Sequence, residues 1–172
     1  MRGDVLFWTS DGSLASRAIA LATRGPYVHV SVDLGDGRDI GAHAEDGVAI
    51  HQVPHDRGLT KYSVEHHLMR HWAEASSLNA QQFALHAIES GITFLLEEVG
   101  NQYGWNNILN NVLKLMHLPY RVSRIDRYDC SSLVTRYLTR VGVDLGDLGE
   151  APDSVSPNDL ARALQLPSRP MT

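Results

Sequence analysis

One cysteine, three phenylalanines and no long apolar run mark this chain of 172 residues. The lone thiol, Cys130, has no internal partner, so the fold depends on neither a disulfide nor an oxidising compartment. No stretch of about 18 apolar residues occurs, which excludes a membrane-spanning helix. Basic residues are in deficit: 15 Lys and Arg against 20 Asp and Glu leave a net charge of −5. That balance gives no general attraction to nucleic-acid backbones or anionic lipid. The opening Met1-Arg2-Gly3-Asp4 brings charge and a turn before a secretory apolar segment can develop. A cytoplasmic protein is the expectation, with phage or envelope association left open. What is present is ordinary globular composition, 43% hydrophobic and 20% charged. At about 150 residues per domain the length suits a single domain, placed at 1–166 with a frayed tail at 167–172.

The pattern predicts an α+β fold, a small antiparallel sheet packed against helices. Asp11-Gly12-Ser13 starts a helix, Leu14, Ala18, Ile19, Leu21 and Ala22 form its apolar stripe, and Gly25-Pro26 stops it. From Tyr27 to Leu34 the chain alternates, with Val28, Val30, Val32 and Leu34 on one face and His29, Ser31 and Asp33 on the other. Alternation resumes over Asp39–Ala44 and again over Val48–Val53, which Pro54 closes. A two-residue Asp36-Gly37 turn would put Val30 opposite His43 and mix the faces. A three-residue loop with Gly37 left-handed instead pairs Val32 with Ile40, Val30 with Ala42 and His29 with His43. The burial pattern selects the second register.

Helices are predicted next. Asn79–Val99 carries Phe83, Leu85, Ile88, Ile92, Phe94, Leu95 and Val99, although Gly91 costs it about 1 kcal/mol against alanine. A further helix is expected from Trp105 to about His117. Another spans about Cys130–Val141 before Gly142, and a short one follows the Ser156-Pro157 cap to about Leu164. The stretch 55–75 reads as a loop or insertion over a pocket.

The stretch Tyr128-Asp129-Cys130-Ser131-Ser132 carries the chemistry. It puts the thiol in the first turn of a helix with Asp129 as cap, where unpaired amides favour thiolate. Asp129's own charge opposes that, so a base is needed. A small buried residue on a helix is the alternative, and free cysteine is commonly that. His29, on a polar strand face, supplies an imidazole to take the proton. A third group must fix the imidazole's tautomer, and His43 or Glu45 on the neighbouring strand serves. His29 is otherwise a solvated strand residue.

Asp129-Cys130-Ser131-Ser132-Leu133-Val134 resembles the nucleophile motif of NlpC-type papain-like cysteine hydrolases. Here the histidine precedes the cysteine, the order of the circularly permuted branch that includes YiiX/YaeF-like proteins and lecithin:retinol acyltransferase. Gly3–Trp8, Ser16–Ile19, Pro26–Val30, Asp36-Gly37, Gly47-Val48 and Ser156–Leu160 fall in the matching order. The resemblance implies a papain-like fold and a Cys130 thiolate that attacks an amide or ester carbonyl to form a thioester. The Cys130 amide would help hold the oxyanion, and His29 would act as acid and base. It implies an amidase or peptidase acting on a peptide or N-acyl amino acid. Acyl transfer or thioester hydrolysis on lipid-like substrates is the alternative, and a non-catalytic module on the same scaffold a third possibility. Where relatives often carry a Glu or His orienter this chain has Gly41, which moves the role to His43 or Glu45 or removes it. Tyr103 resembles the family's tyrosine at the site entrance. Tyr128 and Trp8 complete the candidate substrate-contacting set.

Other constellations carry less. His66, His67 and His71 have helical spacing, but Leu68 stands where a zinc-binding helix of the zincin pattern needs its glutamate. No metal or cofactor is therefore assigned. His51, His55, His86 and His117 share no spacing and read as surface or satisfied histidines. Arg121, Arg124 and Arg127 form a basic loop, either solvated or a lure for an acidic substrate.

Overall fold

Five strands form one antiparallel sheet in a computed structural model that describes residues 1–54, 58–73, 79–104, 128–150 and 152–166. The strands are β1 (Val5–Thr9), β2 (Tyr27–Asp33), β3 (Arg38–His43), β4 (Gly47–Gln52) and β5 (Leu59–Tyr62), in spatial order β4-β3-β2-β1-β5. The helices are α1 (Leu14–Ala22), α2 (Val64–Ala73), α3 (Ala80–Glu97), α4 (Cys130–Val141), α5 (Asp147–Glu150) and α6 (Pro157–Ala163). Among the described residues no helix is long and apolar enough to cross a membrane.

The three-residue loop holds. Val32 pairs with Ile40, the Leu34 amide donates to the Arg38 carbonyl at 2.8 Å, and Gly37 takes φ +83°. The paired β2–β3 ladder then ends, covering only Val32–Ile40 and Asp33–Asp39, so the expected Val30–Ala42 and His29–His43 strand pairs do not form. β3 stays paired with β4 down to His43–Gly47, so the two inner strands part beside His29. β1 was not legible as a strand because it lies between β2 and β5 with both faces covered, and Val5, Leu6 and Phe7 are fully buried. Such strands show no alternation. Within the 55–75 stretch the described residues 58–73 are no loop: they contribute edge strand β5 and α2, whose Val64 and Leu68 lie in the core.

Two predicted stripes need correction. In α3 the buried row is Ala84, Ile88, Gly91, Ile92 and Leu95, at three- and four-residue steps. Phe83, Leu85 and Val99 fall outside that arc and are exposed. In α1 Leu14 and Leu21 are exposed, 85% and 78%. That helix meets the body along β2 and is anchored at its start, where Ser16 bonds Asp11 at 2.7 Å. The predicted Trp105–His117 helix lies outside the described residues, as do His55, the Arg121–Arg127 stretch and the tail.

α4 is the central helix, packing on α3, β2 and β3. Its apolar side, Leu133, Val134, Tyr137, Leu138 and Val141, is buried in the core. Gly91 is what lets α3 approach it, since a Cβ there would lie 2.4 Å from Val141 Cγ1 and 2.7 Å from Tyr137 Cε2. From the other end, Asn158 of α6 clasps β2. Its Oδ1 accepts from the Tyr27 amide at 3.0 Å and its Nδ2 donates to the Tyr27 carbonyl at 2.7 Å.

Helix propensity alone predicts that Gly91→Ala stabilises the protein by about 1 kcal/mol. The packing predicts the opposite sign, a net loss of about 1–3 kcal/mol from overpacking. A urea-denaturation midpoint below that of wild type is the expected outcome.

Candidate functional site

Asp129 caps α4 as expected. Its carboxylate accepts from the Ser132 amide at 2.7 Å, and Ser132 Oγ accepts from the Asp129 amide at 3.0 Å, a reciprocal box. Ser131 adds a bond from its hydroxyl to the Val155 carbonyl at 2.7 Å. Cys130 is thereby fixed as the first helical residue.

The Cys130 side chain is covered rather than open, at 6% exposure. Burial pushes the thiol up to about 12, and the neighbouring Asp129 charge pushes the same way. Amides of Val30, Ser131 and Cys130 itself oppose this without overcoming it. The resting sulfur is therefore a neutral thiol. The helix terminus alone does not make the thiolate that the sequence pattern suggested. α4, whose first residue is Cys130, packs against β2, the strand that bears His29, and the β2–β3 ladder has ended by that point.

His29 opposes Trp8 of β1 and faces His43 of β3, ring centroids 4.6 Å apart. His43 in turn stacks on His51 of β4 at 4.1 Å and 25°. The three imidazoles form a row across three strands. Gly41 lies inside it: a Cβ there would stand 3.4 Å from His29 Nε2, 3.4 Å from His43 Nε2 and 3.1 Å from Ser31 Cβ. A side chain at Gly41 would thus press on both imidazoles.

Burial and the nearby His51 lower the His43 pKa to about 4, with Asp46 acting weakly against them. His43 is accordingly neutral at neutral pH, and its buried Nε2 has no hydrogen-bond partner among the described residues. Glu45 lies on the exposed turn between β3 and β4 and makes no bond among the described residues. The carboxylate that meets the row is Asp46, with Oδ2 3.4 Å from His51 Nε2. Of the two candidate orienters, only His43 is brought to His29.

Trp8 is 4% exposed, and its indole Nε1 donates to Ser31 Oγ at 3.0 Å, while Ser31 donates to Asp39 Oδ2 at 2.6 Å. It is a wall of the buried polar face beneath the row. Tyr103 bridges to Tyr128, and the Gly104 amide donates to the Tyr128 carbonyl at 2.8 Å. Burial raises the Tyr103 hydroxyl pKa, and the charges of Cys130 and Asp129 act in the same direction. Tyr128 is half-buried under the Arg136 guanidinium, 5.6 Å from its ring centre.

The sequence reading missed His51 as a member of this face: expected as a surface or satisfied histidine, it stacks on His43. The signal was present: with Gly47 opposite His43, the period-two rule puts His51 on the face of Asp39, Gly41 and His43.

No family model and no curated protein matches the chain.

The His43 value sets a stability dependence with a definite sign. Its folded pKa of about 4 lies below the ordinary 6.5, so below that value the unfolded chain takes up the proton first. Stability is then lost as pH falls from 6.5 toward 4, by up to about 3 kcal/mol. Urea midpoints across that window should drop for wild type and drop less for His43→Gln.

Proposed function

We propose that the chain is a cysteine-dependent hydrolase of the permuted papain-like type, an amidase or peptidase acting on a peptide or N-acyl amino acid. The observation that carries this reading is the packing of α4, which begins at Cys130, against β2, the strand that bears His29.

In this reading a neutral thiol is deprotonated as it attacks. His29 holds its Nε2 toward Gly41 and His43, and its imidazole is assigned as the base for the sulfur. The imidazole takes the Cys130 proton as the sulfur–carbon bond forms, and the carbonyl oxygen becomes an oxyanion facing the Cys130 amide. Collapse breaks the carbon–nitrogen bond, and the imidazolium gives its proton to the departing amine. Water then attacks the thioester with His29 as base, releasing the acid and restoring the thiol. Neutral His43 is the positioning residue that holds the His29 ring. Tyr103 lines the approach to the sulfur.

One observation favours a second reading. Cys130 is covered and neutral, as a non-catalytic module on the same scaffold would have it. Activity profiling against N-acyl amino acids, peptides and thioesters separates the two. The hydrolase reading expects turnover that Cys130→Ala abolishes and His29→Ala lowers by about a hundredfold or more. Turnover that survives Cys130→Ala, or none on any of the three substrate classes, counts against it.

A further inference from the structure

A cavity of about 500 Å³ opens where β5, α2 and the end of α6 meet, and no residue of the candidate site lines it. Lys61, His66, His67, Arg70 and His71 stand in its wall against one carboxylate, Asp144. In a chain of net charge −5 that is a local reversal of sign. We propose that this cavity is a binding site for a phosphate monoester.

The arrangement follows from helical spacing. Positions 66 and 70, and 67 and 71, are four apart, so α2 presents two adjacent rows of cationic or imidazole groups to one space. Arg70, His66 and His71 have no ion-pair partner among the described residues, whereas Lys61 is shared with Asp33 at 3.2 Å. Crowding is already felt: besides burial, His71 and Arg70 hold the His67 pKa below its ordinary value. A bound dianion relieves that repulsion. Tyr62 is also in the lining, its ring centre 5.9 Å from that of His67.

The remaining charges nearby are engaged. On α6 Arg162 is paired with Asp159, and on α2 Glu65 accepts from Gln81 of α3. A metal does not account for the cluster, because among the described residues no three ligands converge. The volume suits a small molecule rather than a polymer, being within the roughly 300–1,000 Å³ of ordinary ligand pockets. An arginine fork flanked by imidazoles matches the tetrahedral oxygens of a phosphate ester.

Inorganic sulfate is the first probe, because its charge stays constant while the imidazoles titrate. Histidine ring resonances are followed by NMR at fixed ionic strength, near pH 6 and near pH 8. Saturable shifts of His66, His67 and His71, tighter at the lower pH, are expected. Arg70→Gln and His71→Gln should each weaken binding about tenfold, and Asp144→Asn should strengthen it. Shifts that do not saturate, or that are the same in all three variants, overturn the proposal. Glycerol 1-phosphate and vesicles of phosphatidic acid in phosphatidylcholine then separate the sources. Vesicle co-sedimentation lost in Arg70→Gln assigns a lipid headgroup, and binding of glycerol 1-phosphate alone assigns a soluble ester. Binding of neither overturns the proposal.

Discussion

The packing of the α4 N-terminus against β2 is the contact on which the rest depends. It buries Cys130 and coincides with the end of the β2–β3 ladder. The strands part where a polar site needs room, and a capped helix start fills the position. Asp129 and Ser132 hold that start by satisfying each other's backbone partners, so the thiol is placed by backbone geometry rather than by a flexible loop. Gly91 on one side and Asn158 on another hold α4 and β2 in place, through close helix approach and a side-chain clasp respectively.

Electrostatics set the character of the site. Both the thiol and the facing imidazole His43 are buried enough to prefer their neutral forms. A resting thiolate–imidazolium pair would have to overcome desolvation of two charges, which costs more than their attraction returns unless hydrogen bonds complete it. In the proposed hydrolase, a neutral pair that transfers its proton only during attack avoids that cost. The row of half-buried imidazoles His29–His43–His51 ends at the exposed carboxylate of Asp46.

Much of this was legible beforehand because it obeys local rules. The helix start at Cys130, its Asp129 cap, the three-residue hairpin and the facing of His29 and His43 follow from capping chemistry and period-two alternation. β1 was not legible, since a strand buried on both faces loses alternation. The exposure of Leu14 and Leu21 was not legible either, because amphipathic spacing shows that a stripe exists but not whether a partner covers it. The thiol's protonation state was also beyond local reasoning. The helix dipole is visible in the sequence, whereas the burial that overrides it is a property of the packed chain.

The pH dependence of Cys130 alkylation by iodoacetamide, in wild type and His29→Ala, tests the central claim most directly. A buried neutral thiol served by His29 predicts a rate still rising above the ordinary thiol range near pH 8.5. It also predicts a rate at neutral pH that falls about tenfold or more without the imidazole. An ordinary titration near 8.5, unchanged by His29→Ala, would contradict the account.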